Sequence, residues 1–159
     1  MKQSWDFPIA MQDFRDWVVQ YIRNKDLIAK KVLNIKVSTR SVEVLHTDRN
    51  QVYLIEPSLT KVENLSVILP STDKDLFLVT LNTKENIHLV AKQWDELSKR
   101  TDLRIIFVNP FSKGDMKWVL CPHIHAKISD RKNLLTGLLS LSEGIGHIDE
   151  ATFSQSYTF

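Results

Sequence analysis

Two nearly continuous apolar runs, Leu76-Phe77-Leu78-Val79-Thr80-Leu81 and Leu103-Arg104-Ile105-Ile106-Phe107-Val108, constrain this chain more than any other feature. A strand with apolar side chains on both sides needs cover on both faces, which is the condition of a central strand in an α/β sheet. Between the runs, Ile87, Val90, Ala91, Trp94 and Leu97 recur at helical spacing and make a buried stripe. Strand, helix, strand of this length predicts a parallel crossover, because the reverse geometry is almost never built. Asn82 stands where it can N-cap the helix, with Glu85 at the third helical position to complete a capping box.

Other elements follow from the period of the flanking segments. Pro8 fits the first turn of a helix with Asp6 as its cap, and Phe14, Trp17, Val18, Tyr21 and Ile22 share one face. Leu27, Ile28, Val32 and Leu33 read as a second helical or turning stretch. Val42 and Val44 then alternate with polar neighbours, and Gln51 to Ile55 is rich in strand formers. The intervening Thr47-Asp48-Arg49-Asn50 makes a hairpin of the two. Residues 57–75 are irregular. Ser112-Lys113-Gly114-Asp115 turns the chain into a strand at Met116 to Leu120, which Pro122 ends. Ser129 caps a last helix whose stripe is Leu134, Leu135, Leu138, Leu139 and Leu141, closed by Gly144. The expected fold is α/β: one domain over residues 1–150, a central mixed sheet flanked by helices in the order α-β-β-β-α-β-β-α. Residues 151–159 form a polar tail with three aromatics, Phe153, Tyr157 and Phe159.

At 159 residues, with 43% hydrophobic and 25% charged residues, the chain suits one globular domain with a real core. No apolar run is long enough to cross a bilayer, and no apolar stretch follows the first charged residues as in a secretory signal. A single cysteine, Cys121, excludes an intramolecular disulfide. The expectation is a cytoplasmic protein without a membrane partner. Net charge is only +2, but the segment from Gln20 to Arg40 holds Arg23, Lys25, Lys30, Lys31, Lys36 and Arg40 against one acid, Asp26. That segment carries +5 and the remainder −3. Such a stretch can draw phosphates by counterion release, although a charge run is more often a solvated helix face.

The order helix, three strands, helix, strand over Pro8 to Pro110 resembles the core of the restriction-endonuclease-like, or PD-(D/E)XK, superfamily. The resemblance lies in element order rather than in residues. It implies DNA cleavage with Mg²⁺, by an acid at the start of the second strand beside an acid-x-Lys on an antiparallel third strand. The matching positions here are Asp48 and the run Asn82-Thr83-Lys84. An asparagine stands where the family has a carboxylate, and its neutral carbonyl is a poor ligand for Mg²⁺, which favours charged oxygens. Glu43 and Glu56 are the alternatives under a different register. The resemblance therefore implies a remnant site at Asp48, Asn82 and Lys84, in a module that binds nucleic acid without cutting it. No resident cofactor is expected, or Mg²⁺ if that site is active.

Cys121-Pro122-His123-Ile124-His125 offers three potential zinc ligands at alternate positions, which share a side in an extended segment. Their spacing of roughly 6–7 Å is wide for one ion, and the bland reading is a polar strand end. Cys121 lies among Trp118, Val119 and Leu120, without the surroundings of a thiol enzyme. No Gly-rich phosphate loop and no Gly-x-Ser-x-Gly is present. Three readings result: a DNA- or RNA-binding module on a nuclease-like core; a structural or protein-interaction domain, or homo-oligomer, using the edge from Trp118 to His125 or the aromatic tail; and a metal-dependent hydrolase.

Overall fold

The computed structural model describes residues 7–60, 62–70 and 73–148. The Asp6 cap and the aromatic tail lie outside the described residues. Helix α1 (Phe7–Lys25) precedes strands β1 (Val32–Val37), β2 (Ser41–His46) and β3 (Gln51–Ile55). A long connection with a short helix, α2 (Leu65–Ile68), leads to β4 (Asp75–Leu81), and α3 (Lys84–Lys92) and α4 (Trp94–Leu97) lead to β5 (Leu103–Val108). Strand β6 (Lys117–Leu120), α5 (Pro122–Ile128), a 3₁₀ turn (Arg131–Asn133) and α6 (Leu134–Glu143) complete the chain. The six strands form one mixed sheet in sequence order. Strands β1, β2 and β3 are an antiparallel meander, β3, β4 and β5 are parallel, and β6 returns antiparallel on β5.

The crossover between the two apolar runs and the hairpin around Asp48 are as expected from the sequence. Three local expectations are corrected. Val32–Val37 is a strand, not a helical stretch. It is the sheet's edge, it is half exposed, and a register shift between Val32 and Asn34 breaks its two-residue period. Thr83, not Asn82, caps α3: its side chain accepts from the Asn86 backbone N–H, and Glu85 completes no capping box. His123 and His125 lie on α5 rather than on an extended segment, with Pro122 in the helix's first turn, where its missing N–H costs nothing. Ser129 ends α5, and Asp130 caps the turn into α6.

The sheet's two faces are covered unequally. On one face, Ile87 and Val90 of α3, Trp94 and Leu97 of α4 and Leu134 and Leu138 of α6 pack on Leu76, Leu78, Leu103, Ile105, Phe107 and Leu120. On the other face α1 is the one helix among the described residues, and its Phe14, Val18 and Ile22, joined by Ile148, pack on Val42, Val44, Tyr53, Ile55, Phe77, Val79 and Ile106. Six strands about 4.8 Å apart span roughly 24 Å, and a helix with its side chains covers only about 10–12 Å. Helix α1 lies over β2 and β3. Among the described residues an open trough therefore remains on this face, between α1 and the β6 edge. No helix among the described residues is long and apolar enough to cross a membrane.

Candidate functional site

In parallel sheets, ligands collect at the carboxyl ends of the strands, which here means Asn82 after β4 and Asn109 after β5. Both asparagines are buried, and both are engaged by the chain itself. The Asn82 amide donates to the carbonyls of Ser142 (3.0 Å) and Gly146 (2.9 Å), and its carbonyl accepts from the Trp118 indole N–H at 2.8 Å. The Asn109 amide donates to the carbonyls of Ile145 (2.9 Å) and Gly146 (3.0 Å). Gly146 adopts a φ of 76°, a left-handed conformation that suits glycine, and this turns residues 144–148 back over the strand ends. Ser142 and His147 meet beneath this turn at 2.6 Å, but the Ser142 hydroxyl also donates to the Leu139 carbonyl and is fully buried. Burial and the nearby Lys84 hold His147 towards its neutral form. The end of the sheet is plugged rather than open.

The proposed partners of Asn82 are elsewhere. Because β3 and β4 are parallel, with Gln51 opposite Asp75, the hairpin that carries Asp48 sits at the start of β4, at the opposite end from Asn82. Asp48 pairs with Lys31 at 2.8 Å, and this hydrogen bond holds its carboxyl below the usual range. Glu56 pairs with Arg40 at 2.7 Å, and Glu43 faces Lys74. Lys84 is exposed on the first turn of α3. These residues do not fit Mg²⁺: the Asn82 carbonyl oxygen is committed to Trp118, and no carboxylate joins it. Replacing Asn82 by aspartate tests this directly. The carboxylate cannot donate to Ser142 and Gly146 and sits against their carbonyls, so Asn82→Asp should lose about 2 kcal/mol or more in urea unfolding, with or without Mg²⁺. Stabilisation of that variant by millimolar Mg²⁺ would restore the remnant site.

The candidate zinc ligands also separate. His123 bonds through Nδ1 with the Ser98 carbonyl at 3.1 Å, and His125 packs edge-on against Trp94 at 5.7 Å. Among the described residues, no three of His, Cys, Asp and Glu converge on a metal position.

Of the basic segment, Lys31 and Arg40 are held in ion pairs, and Arg23, Lys30 and Lys36 are exposed around the first strands. Lys25 is exposed as well, but its ammonium stands against aromatic rings. Trp17, Gln20, Tyr21, Asn24 and Lys25 recur at three and four along α1, beside its buried stripe, and form one wall of the trough. Gly114, Asp115, Met116 and Lys117 form the other, enclosing a groove of about 700 Å³. Trp17 and Tyr21 stack nearly parallel at 5.5 Å. The Lys25 ammonium stands 5.7 Å from the Tyr21 ring and 5.6 Å from the Phe77 ring. Lys117 reaches the same Tyr21 ring at 5.5 Å, and Arg104 the same Phe77 ring at 5.8 Å.

Three cations thus share two aromatic rings, and none of them forms an ion pair among the described residues. Aromatic faces offset part of the repulsion. Partial burial, then the charges of Arg104 and Lys117, push the Lys25 ammonium below its usual pKa. The one acid of the groove is Asp115, exposed on the loop before β6. Sequence reading reached Lys25 but missed Arg104 and Lys117. The available signal was Arg104 itself, a cation inside a run that is otherwise wholly apolar. Comparisons with protein-family models, curated proteins and solved structures find no match to this chain.

Proposed function

We propose that the chain is a non-catalytic module that binds nucleic acid through the groove between α1 and β6. One observation carries the reading: Lys25, Arg104 and Lys117 converge beside the stacked rings of Trp17 and Tyr21 with no ion pair to any of them among the described residues. Mutual repulsion among three cations costs stability, and a phosphate entering the groove relieves it. Cations with interleaved aromatics are the combination that nucleic-acid grooves use, charge for the backbone and π-faces for the bases. Of the basic segment only Lys25 belongs to this groove, and Arg23, Lys30 and Lys36 extend the positive field around it.

The nuclease-like part of the reading shifts with the extra strand. Once β1 is counted, the second and third strands are β2 and β3, which are antiparallel as the resemblance requires. Along Gln51 to Pro57, however, no acid-x-Lys occurs. Binding without cleavage is the form of the resemblance that these residues support.

A second reading rests on the β6 edge, where Val119, Ile124, Ile128 and Leu141 are exposed around an apolar groove of about 300 Å³. An uncovered edge strand beside apolar side chains suits a protein partner or a second copy. Salt separates the two. Anisotropy of labelled DNA should show saturable binding whose log–log salt slope is about −2 to −3 for three phosphate contacts. Absence of binding at low salt, or an affinity indifferent to salt, would move the function to the apolar edge.

A further inference from the structure

The shape of the groove narrows the class of nucleic acid. We infer that it takes unpaired nucleotides, with a base stacked on Trp17 and neighbouring phosphates set beside Lys25, Arg104 and Lys117. This rests on the nucleic-acid reading above and specifies the ligand of that site. Lys25 and Lys117 line a trough walled by a helix and a loop rather than a ridge, and Arg104 adjoins Lys25 across the Phe77 ring. A duplex is a convex rod whose bases are stacked inside, reached by elements that protrude into its grooves. Cations lining a trough cannot follow the duplex backbone. An unpaired strand is thin, and it exposes base faces that can leave their own stack for a side-chain ring.

The aromatic wall has the form this requires. Trp17 and Tyr21 lie at an interplanar angle of 2°, so the pair is already a two-ring stack, and a base placed on Trp17 lengthens it. Tyr21 also carries the Lys25 and Lys117 ammonium groups against its ring. Stack and phosphate site therefore lie along one wall of the groove, joined at the Tyr21 ring. On the same wall the Gln20 amide donates to the Asn24 carbonyl at 3.0 Å. This leaves the Gln20 carbonyl and the Asn24 amide N–H groups for base edges. A volume near 700 Å³ is in the range of sites for small organic ligands, enough for one or two nucleotides at a time.

The test compares fluorescein-labelled 15-nucleotide single strands, DNA and RNA, with the same DNA as duplex. Anisotropy is read at several salt concentrations, with a nucleoside monophosphate as competitor. The full chain is expected to bind a single strand about tenfold or more tightly than the duplex. Trp17→Leu keeps apolar packing and removes the π-face, so it should lose about tenfold on the single strand, leave the duplex unchanged and preserve the salt slope. Trp17→Phe should retain most of the affinity, which separates a stacking loss from a folding defect. Equal binding of strand and duplex, or an equal loss on both in Trp17→Leu, would overturn the single-strand assignment while the nucleic-acid reading stood. A monophosphate that displaces the strand at the strand's own affinity would also overturn it, in favour of a free nucleotide. No binding to any of the probes would remove both readings together.

Discussion

A Lys25→Glu/Lys117→Glu variant should bind DNA about a hundredfold or more weakly than the parent at physiological salt, and should fold at least as well. Each of these cations is assigned to a phosphate, and a charge-assisted hydrogen bond contributes about 1.5–3 kcal/mol, or about tenfold or more. The salt slope should shrink by about two, one unit for each phosphate no longer neutralised. The second half of the prediction separates function from scaffold. Ion pairs that hold a fold together lose stability when one partner is removed, but here the neighbours of Lys25 are Arg104 and Lys117, and its pKa lies below the usual lysine value. The unfolded chain thus holds the Lys25 proton more tightly than the folded one. Stability should rise with pH as Lys25 is neutralised, and Lys25→Gln should gain at neutral pH what the parent gains only in alkali. Loss of binding with unchanged or improved urea unfolding marks a ligand site. Loss of both in Lys25→Gln would return these cations to a structural role.

How much of this could be read beforehand depends on whether an element's signal is local. The runs at Leu76–Leu81 and Leu103–Val108 announce themselves because every side chain is buried or nearly so. Strand β1 does not, because an edge strand needs cover on one face only, and the bulge at Val32–Asn34 removes even that alternation. Pro122 is ambiguous in principle: the same residue ends a strand and begins a helix, and both happen here within a few residues. The missed strand had a larger consequence. With only two strands before Leu76, an antiparallel meander ran on through Leu76–Leu81 and carried Asp48 to Asn82. With three, the meander closes at β3, and the next strand runs parallel to it. Local motifs were therefore legible, but their juxtaposition was not, since it turned on the count of strands.

The groove was illegible for the same reason. Trp17 and Tyr21 look like a core stripe, Lys25 like a helix end, and Arg104 and Lys117 like isolated charges far along the chain. Only the lateral order of β4, β5 and β6 beneath one undersized helical layer brings them together. Such a cluster destabilises a chain in which it does nothing, so its presence inside an otherwise well-satisfied fold is the argument for a ligand.

The parallel arrangement must itself be held, and the largest stability effect is expected there. Asn86→Ala should cost about 3–4 kcal/mol, near 10 °C in Tm for a chain of this size. Helix α3 presents Asn86 to the segment that leaves β3, inside the protein. Its carbonyl accepts from the Leu59 N–H at 2.9 Å, and its amide reaches the carbonyls of Pro57 (3.0 Å) and Leu81 (2.9 Å) and the Thr80 hydroxyl (3.0 Å). A chain that turns from one parallel strand towards the next must leave backbone groups unpaired where it departs, and Asn86 collects them. Alanine strands the Leu59 N–H away from water and opens a hole beside it. Asn86→Asp should be about as damaging at neutral pH, because it keeps the acceptor but sets a buried charge against the Pro57 and Leu81 carbonyls. The two then diverge in acid. Protonation gives the aspartate a donor again, so its deficit relative to the parent should narrow as pH falls through the carboxylate range, while that of Asn86→Ala should not. Urea unfolding at pH 7 and pH 4 measures both. Equal deficits at the two pH values for Asn86→Asp would mean that Asn86 fills space there rather than holding the crossover by its hydrogen bonds.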